Sequence, residues 1–190
     1  MFAGVFGKGF WMDDMKWIVL TYTLPTEPSR PRVAVWRALR KAGAVSIQQS
    51  MWALPDCADH VLTLRKICDE IEANRGEALM MESTFFEKEH ERRVTELFSR
   101  MRDEEDSEFI EECGKYLKEI EKEIAREKFT FAELEEEEAE HEKLTAWFRK
   151  IAARDLFGAS LKEKASEQNQ RITEAIENYS KLVFEHDVNN

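Results

Sequence analysis

The segment Ser29-Arg30-Pro31-Arg32-Val33-Ala34-Val35-Trp36-Arg37-Ala38-Leu39-Arg40-Lys41 carries five cations and no acid, in a 190-residue chain of formal net charge -11. Four of the five cations are arginines, whose planar guanidinium forks read carboxylates and phosphates better than an ammonium does. Arg30 and Arg32 stand at the expected start of a helix, the end whose unpaired N–H groups and positive macrodipole already attract anions. Ser29, Arg30, Arg32, Arg37 and Arg40 are therefore the candidate contacts for nucleic-acid phosphates (DNA in particular) or for a small oxyanion. The competing reading is a protein-protein interaction module. There the same arginines dock onto the chain's own acidic helices, and exposed helical stripes hold a homodimer or a partner regulator.

Glu87-x-x-His90 and Glu138-x-x-His141 have the carboxylate-histidine spacing that di-metal helical bundles place in their cores. Glutamate is so abundant around both histidines that this spacing arises cheaply, and no further pair of glutamate ligands stands out. The expectation is no metal and no cofactor, with Glu87, His90, Glu138 and His141 as the alternative. Cys57, Cys68 and Cys113 are odd in number and lack C-x-x-C spacing, which points to a reducing cytoplasm rather than to a disulfide framework or a zinc site. Cys113 lies on an apolar stripe and reads as core. Tyr22 and Trp52, at strand spacing, read as core before they read as base-stacking platforms. No Gly-rich phosphate loop, serine elbow or H-E-x-x-H sequence is present, so none of these enzymatic signatures is read and a non-enzymatic role is expected.

Hydrophobic residues make up 43% and charged residues 35% of the chain, with 5 Trp and 12 Phe, too many large apolar groups for disorder. All four prolines precede residue 56. Charge divides with them: residues 1–86 hold 10 basic and 10 acidic groups, leaving 18 basic and 29 acidic groups beyond. A uniformly basic nucleic-acid coat is excluded, so any polyanion must meet a local patch. No run reaches the roughly 18 apolar residues of a membrane span, and the apolar opening over 1–14 reads as a loose leader.

Trp17 to Tyr22 reads as a buried strand ended by Leu24-Pro25. Ser29 caps a helix to Ala42, along which Val33, Trp36 or Arg37, and Arg40 recur at helical spacing, and Gly43 stops it. Val45 to Gln49 and Met51 to Leu54 are extended, as a hairpin or as one bent strand. Asp59 caps a second helix with Val61, Leu64, Ile67, Cys68 and Ile71 on one face. Ala78 to Phe85 closes the series. The order is that of a ferredoxin-like βαβ(β)αβ domain over 15–86.

Beyond it, 87–190 reads as a four-helix antiparallel region. Val94, Leu97, Phe98 and Met101 mark one helix, and Phe109, Cys113, Tyr116, Leu117, Ile120 and Ile124 the next. Thr130-Phe-Ala-Glu133 and Ser160-Leu-Lys-Glu163 read as capping boxes opening the last two. Their apolar faces carry Leu144, Trp147, Phe148 and Ile151, then Ile172, Ile176, Tyr179, Leu182 and Val183. Glu135 to Glu138 reads as a solvated face.

The run from Trp17 to Pro55, with its strand ending in Leu24-Pro25, its Ser29-Arg-x-Arg-Val-x-Val-Trp-Arg37 helix and its Gln48-Gln-Ser-x-Trp-x-Leu-Pro55 sequence, resembles the N-terminal domain of the chromate-resistance protein ChrB. Arg154-Asp-Leu-Phe-Gly-Ala159 resembles the end of that family's helical region. The resemblance implies a cytoplasmic α+β protein tied to the chromate response, a setting of transcriptional regulation, with chromate itself as one oxyanion to consider. More distantly, the front resembles the ferredoxin-like domains of the PaaX repressor and of CRISPR-adaptation nucleases. Two departures stand out. Asp106 occupies a position after Glu105 where the family suggests tyrosine, and Tyr22-Thr23-Leu24-Pro25 lacks the acidic residue with which the nuclease-like relatives hold metal. Members of the family also carry an additional C-terminal domain.

Overall fold

The computed structural model describes residues 15–188; the leader expected over 1–14 lies outside them. Among the described residues the protein is α+β, with a four-stranded antiparallel sheet and five helices. Its chain divides into two compact units, Met1–Phe98 and Ser99–Asn190.

In the first unit the order is β1 (Trp17–Thr23), α1 (Arg30–Lys41), β2 (Val45–Gln48), β3 (Met51–Pro55), α2 (Ala58–Ala73) and β4 (Glu77–Ser83). The strands lie in the order β2-β3-β1-β4. β1 is central and paired on both sides, and Trp17, Ile18, Val19 and Leu20 are all buried, so both of its faces are covered and the strand reads as a continuous apolar run rather than an alternating one. The segment that was open between hairpin and bent strand is a hairpin: β2 and β3 pair antiparallel, with Ser50 at φ 59° in the connection and a register shift between Ser46 and Gln48.

Helix α1 buries Val35 and Leu39, and α2 buries Leu64, Ile67 and Ile71. Gly43, at φ 82°, ends α1. Its N–H donates to the Arg40 carbonyl and that of Ala44 to the Leu39 carbonyl, the pair of bonds that a left-handed residue after a helix makes possible. The Asp59 cap is not found: α2 begins at Ala58 after Cys57, no side chain caps it, and Asp59 falls in its first turn. The unit runs past residue 86 because the helix that follows packs back on β1. Trp17 donates its indole N–H to Glu91 Oε1 at 2.9 Å, and its ring lies 5.8 Å from those of Phe85 and Phe98.

Among the described residues three helices, not the expected four, follow the sheet: α3 (Lys88–Ala125), α4 (Phe131–Arg154) and α5 (Lys162–Val188). The two helices expected over 94–124 are one continuous helix, since no proline or glycine interrupts the chain between Phe86 and Gly114. In the second unit, Phe109, Cys113, Tyr116 and Ile120 of α3 form one core with Leu134, Leu144 and Ile151 of α4 and Ile172, Ile176, Tyr179 and Val183 of α5. Thr130 caps α4, its hydroxyl accepting from the Glu133 N–H at 3.3 Å. The Glu133 carboxylate does not reciprocate; it pairs with Lys128 at 3.2 Å. Glu137 departs from the solvated face expected of it. It is buried, which pushes its carboxyl above the usual range, and its backbone carbonyl accepts from the Tyr116 hydroxyl. Among the described residues no helix is long and apolar enough to cross a membrane.

Candidate functional site

At 100° per residue, Val35 and Leu39 turn one side of α1 inward, and the opposite side carries Arg30, Val33, Arg37 and Arg40. Arg30, Arg32 and Arg37 are exposed and Arg40 is half-buried. Val33 (42% exposed) and Trp36 (49% exposed) lie in water beside them. The Arg40 guanidinium sits over the Trp36 ring, 5.8 Å from its centroid, which holds that fork in place at the cost of little of its charge. The residues that recur at helical spacing along α1 thus mark its outer face, and the inner one is set by the aliphatic pair alone. Among the described residues, none of the five cations of the helix forms an ion pair with a carboxylate.

The start of the helix is equally open. Ser29 stands at the N-cap in helical conformation (φ -71°, ψ -20°), so its hydroxyl makes no cap bond, and no acid lies in the first turn. Pro31 contributes no N–H, and the Val33 N–H reaches the Ser29 carbonyl at 3.2 Å. The exposed Ser29 hydroxyl thus stands without a cap bond at a helix start that carries the exposed Arg30 and Arg32.

The four residues of the metal alternative fall in different units. Glu87 and His90 are exposed in the first; Glu138 is exposed and His141 half-buried in the second. His141 Nε2 lies 3.0 Å from Thr173 Oγ1 and 3.3 Å from Thr145 Oγ1, and burial holds its pKa below the ordinary value. Among the described residues, no group of three or more His, Cys, Asp or Glu side chains is placed to hold a metal ion. Cys113 is buried, and burial pushes its thiol up to about 12. Trp52 is buried and Tyr22 half-buried.

A polar junction in the second unit was not legible in the sequence. Glu105 Oε2 receives Arg102 at 3.3 Å and Arg154 at 2.8 Å. Asp103 Oδ1 accepts from the Ser160 hydroxyl and from the Leu161 N–H. The Ser160 capping box is therefore not formed: an aspartate of α3 closes the start of α5 in its place. Asp155 Oδ1 accepts from the Gly158 and Ala159 N–H groups, and Gly158 takes φ 79°. The Arg154-to-Ala159 sequence is thus a tightly tied turn. Asp106, 3% exposed, lies near Asp155, Asp103 and Glu105, and burial pushes its carboxyl up to about 6. The signal that was available is Gly158 after an Asp three residues earlier, a side-chain-capped turn.

Residues 32–190 match the family model described as protein ChrB, N-terminal. No curated protein and no solved structure matches the chain. The match opens inside α1, so it takes in Arg32, Arg37 and Arg40, with Ser29 and Arg30 just ahead of it.

Proposed function

We propose, from the premise that the chain belongs to the family of protein ChrB, N-terminal, that it is a non-enzymatic regulator or sensor of the chromate response, working in the cytoplasm and gripping phosphates of DNA through α1. We read the sheet unit as ferredoxin-like, on its βαββαβ order and its β2-β3-β1-β4 arrangement. The observation that carries the reading is the row of guanidinium groups without carboxylate partners on the outer face of α1.

The length of that row favours a polymer over a single ion. At 1.5 Å of rise per residue, Arg30 and Arg37 stand about 10 Å apart along the helix and Arg30 and Arg40 about 15 Å. One tetrahedral oxyanion spans neither distance, whereas successive backbone phosphates do. The Ser29-Arg30-Arg32 end by itself suits a single oxyanion such as chromate, and that is the second arm of the test.

The full chain is titrated against labelled duplex DNA over a series of salt concentrations. Neutralising three or four phosphates gives a log-log slope of about -3 to -4, and Arg37→Ala should lower its magnitude by about one. Absent or salt-independent binding overturns the DNA reading. Calorimetric binding of chromate that Arg32→Ala abolishes, with no DNA binding, moves the site to the oxyanion.

A further inference from the structure

We propose that the outer edge of β4 is a self-association surface, on which a second copy of this chain lays its own β4 antiparallel to make one continuous sheet. The inference is independent of what α1 binds.

A sheet has two edges, and this one treats them differently. The β2 edge is short, four residues, and its pairing with β3 is broken by a register shift between Ser46 and Gln48. Short and irregular edges are the means by which proteins discourage a further strand. The β4 edge has none of these features. It is seven residues long, pairs with β1 in unbroken register from Trp17 opposite Ser83 to Thr23 opposite Glu77, and contains no proline, glycine or lysine. Among the described residues no strand pairs with its other side.

The side chains of that edge alternate in the way a further strand needs. Ala78 and Met80 are half-buried on the face they share with Tyr22 and Leu20, while Leu79 (61% exposed) and Met81 (38% exposed) stand in water on the other. Two exposed large apolar side chains two residues apart on a regular strand form a strip that one isolated copy leaves wet.

A second β4 fits this strip better than an arbitrary strand does, because the sequence is self-complementary about Met80. Antiparallel pairing centred there overlaps all seven residues. It sets Leu79 opposite the other copy's Met81 and that copy's Leu79 opposite Met81, giving four apolar side chains in a row on one face. Glu77 falls opposite Ser83, and Glu82 opposite Ala78, so neither acid meets its counterpart, the arrangement that would be destabilising. Glu82 is moreover already neutralised by Lys16, 2.7 Å away. A twofold contact demands this kind of self-matching. Charge favours the same location: two chains of net charge -11 repel, but the excess lies wholly beyond residue 86, with 10 basic and 10 acidic groups before it. Like chains meet at least electrostatic cost through the sheet unit.

Sedimentation of the full chain over a range of micromolar concentrations should show a monomer-dimer equilibrium. Leu79→Lys combined with Met81→Lys, which replaces two solvent-facing side chains and sets lysines opposite one another, should weaken it at least about tenfold with an unchanged melting temperature of the monomer. A second variant guards against misfolding. Leu79→Cys with Met81→Cys should yield a covalent dimer on mild oxidation, reversed by thiol, beyond any crosslinking of the wild type through its own cysteines. A wild type monomeric throughout the range, or a dimer that the lysines leave unaltered and the engineered cysteines do not trap, overturns the proposal.

Discussion

The guanidinium groups of α1 and those of the α3, α4 and α5 junction are the same chemical group in opposite circumstances. Arg30, Arg32 and Arg37 face water with no carboxylate in contact. Arg102 and Arg154, with side chains 2% and 22% exposed, converge on one carboxylate, Glu105. Burying a guanidinium is costly unless charge and hydrogen bonds compensate it, so the junction arginines are held within the fold around Glu105 rather than presented to a partner. The α1 arginines contribute little to the fold and keep theirs. Acidity follows the same division: the first 86 residues are neutral overall and the excess of acid lies beyond them.

The sharpest way to break this contrast is to remove one arginine of each kind. Arg102→Ala leaves Glu105 without one of its two cations and takes from Asp106 the positive charge that offsets its acidic neighbours. Truncating one partner of a buried pair costs about 3 kcal/mol, read as a fall in the urea midpoint of the helical unit. Arg37→Ala should leave that midpoint within the scatter of surface substitutions while lowering anion affinity. Equal losses of stability from the two variants would mean that the α1 arginines hold the fold together as much as the junction arginines do.

The second effect is smaller and has a sign that can be checked. Asp106 has its carboxyl pushed from 3.8 to about 6, chiefly by burial and then by Asp155, Asp103 and Glu105, with Arg102 acting the other way. The folded state therefore binds this proton more tightly than the unfolded chain. The stability it contributes is complete below about pH 4 and is lost as pH rises through about 6. Asp106→Asn removes the liability. It should raise unfolding stability by about 2 kcal/mol at pH 8 and by nothing measurable at about pH 3.5, so that the two unfolding curves converge on acidification. A pH-independent difference would place the effect in packing rather than in charge.

What could be read from residue order was what local rules decide. The β1 run, the Gly43 stop and the Thr130 cap each rest on neighbours within a few positions, and the structure carries them. Some failures were local, such as the Asp59 cap, whose place is taken by Cys57, but the larger ones came from tertiary packing. Ser160 has the local chemistry of a cap, yet Asp103, 57 residues earlier, takes the work over. Glu137 lies in a run of four glutamates and is buried all the same, because helical turn and not composition decides which one faces the core. Two helices were expected where α3 runs unbroken, with Met101 in the first and Phe109 in the second, and the stretch between them carries no apolar residue. That stretch holds Arg102, Asp103, Glu105 and Asp106, inward-facing residues that are polar because they meet one another. For α1 the exposed charge pattern was legible, since five cations without an acid need no tertiary knowledge to notice. That Arg40 lies over Trp36 was not.

The smallest effect sharpens the contrast at the level of single hydroxyl groups. Thr130 and Ser29 both stand at N-caps, but only Thr130, extended at φ -118° and ψ 151°, turns its hydroxyl toward a backbone N–H of its helix. Ser29, already helical, does not. Thr130→Ala should therefore cost about 1 kcal/mol, read from thermal unfolding, whereas Ser29→Ala should cost only a few tenths at most, because there is no cap bond to lose. The same Ser29→Ala should weaken anion binding by a few-fold if the free hydroxyl donates to the ligand, a loss of about 1 kcal/mol typical of one hydrogen bond. A Ser29 variant that unfolds as readily as the Thr130 variant and binds anion as wild type does would make its hydroxyl an ordinary cap in solution, and the first turn of α1 would lose one of the donors that distinguish it from the tied junction of the helical unit.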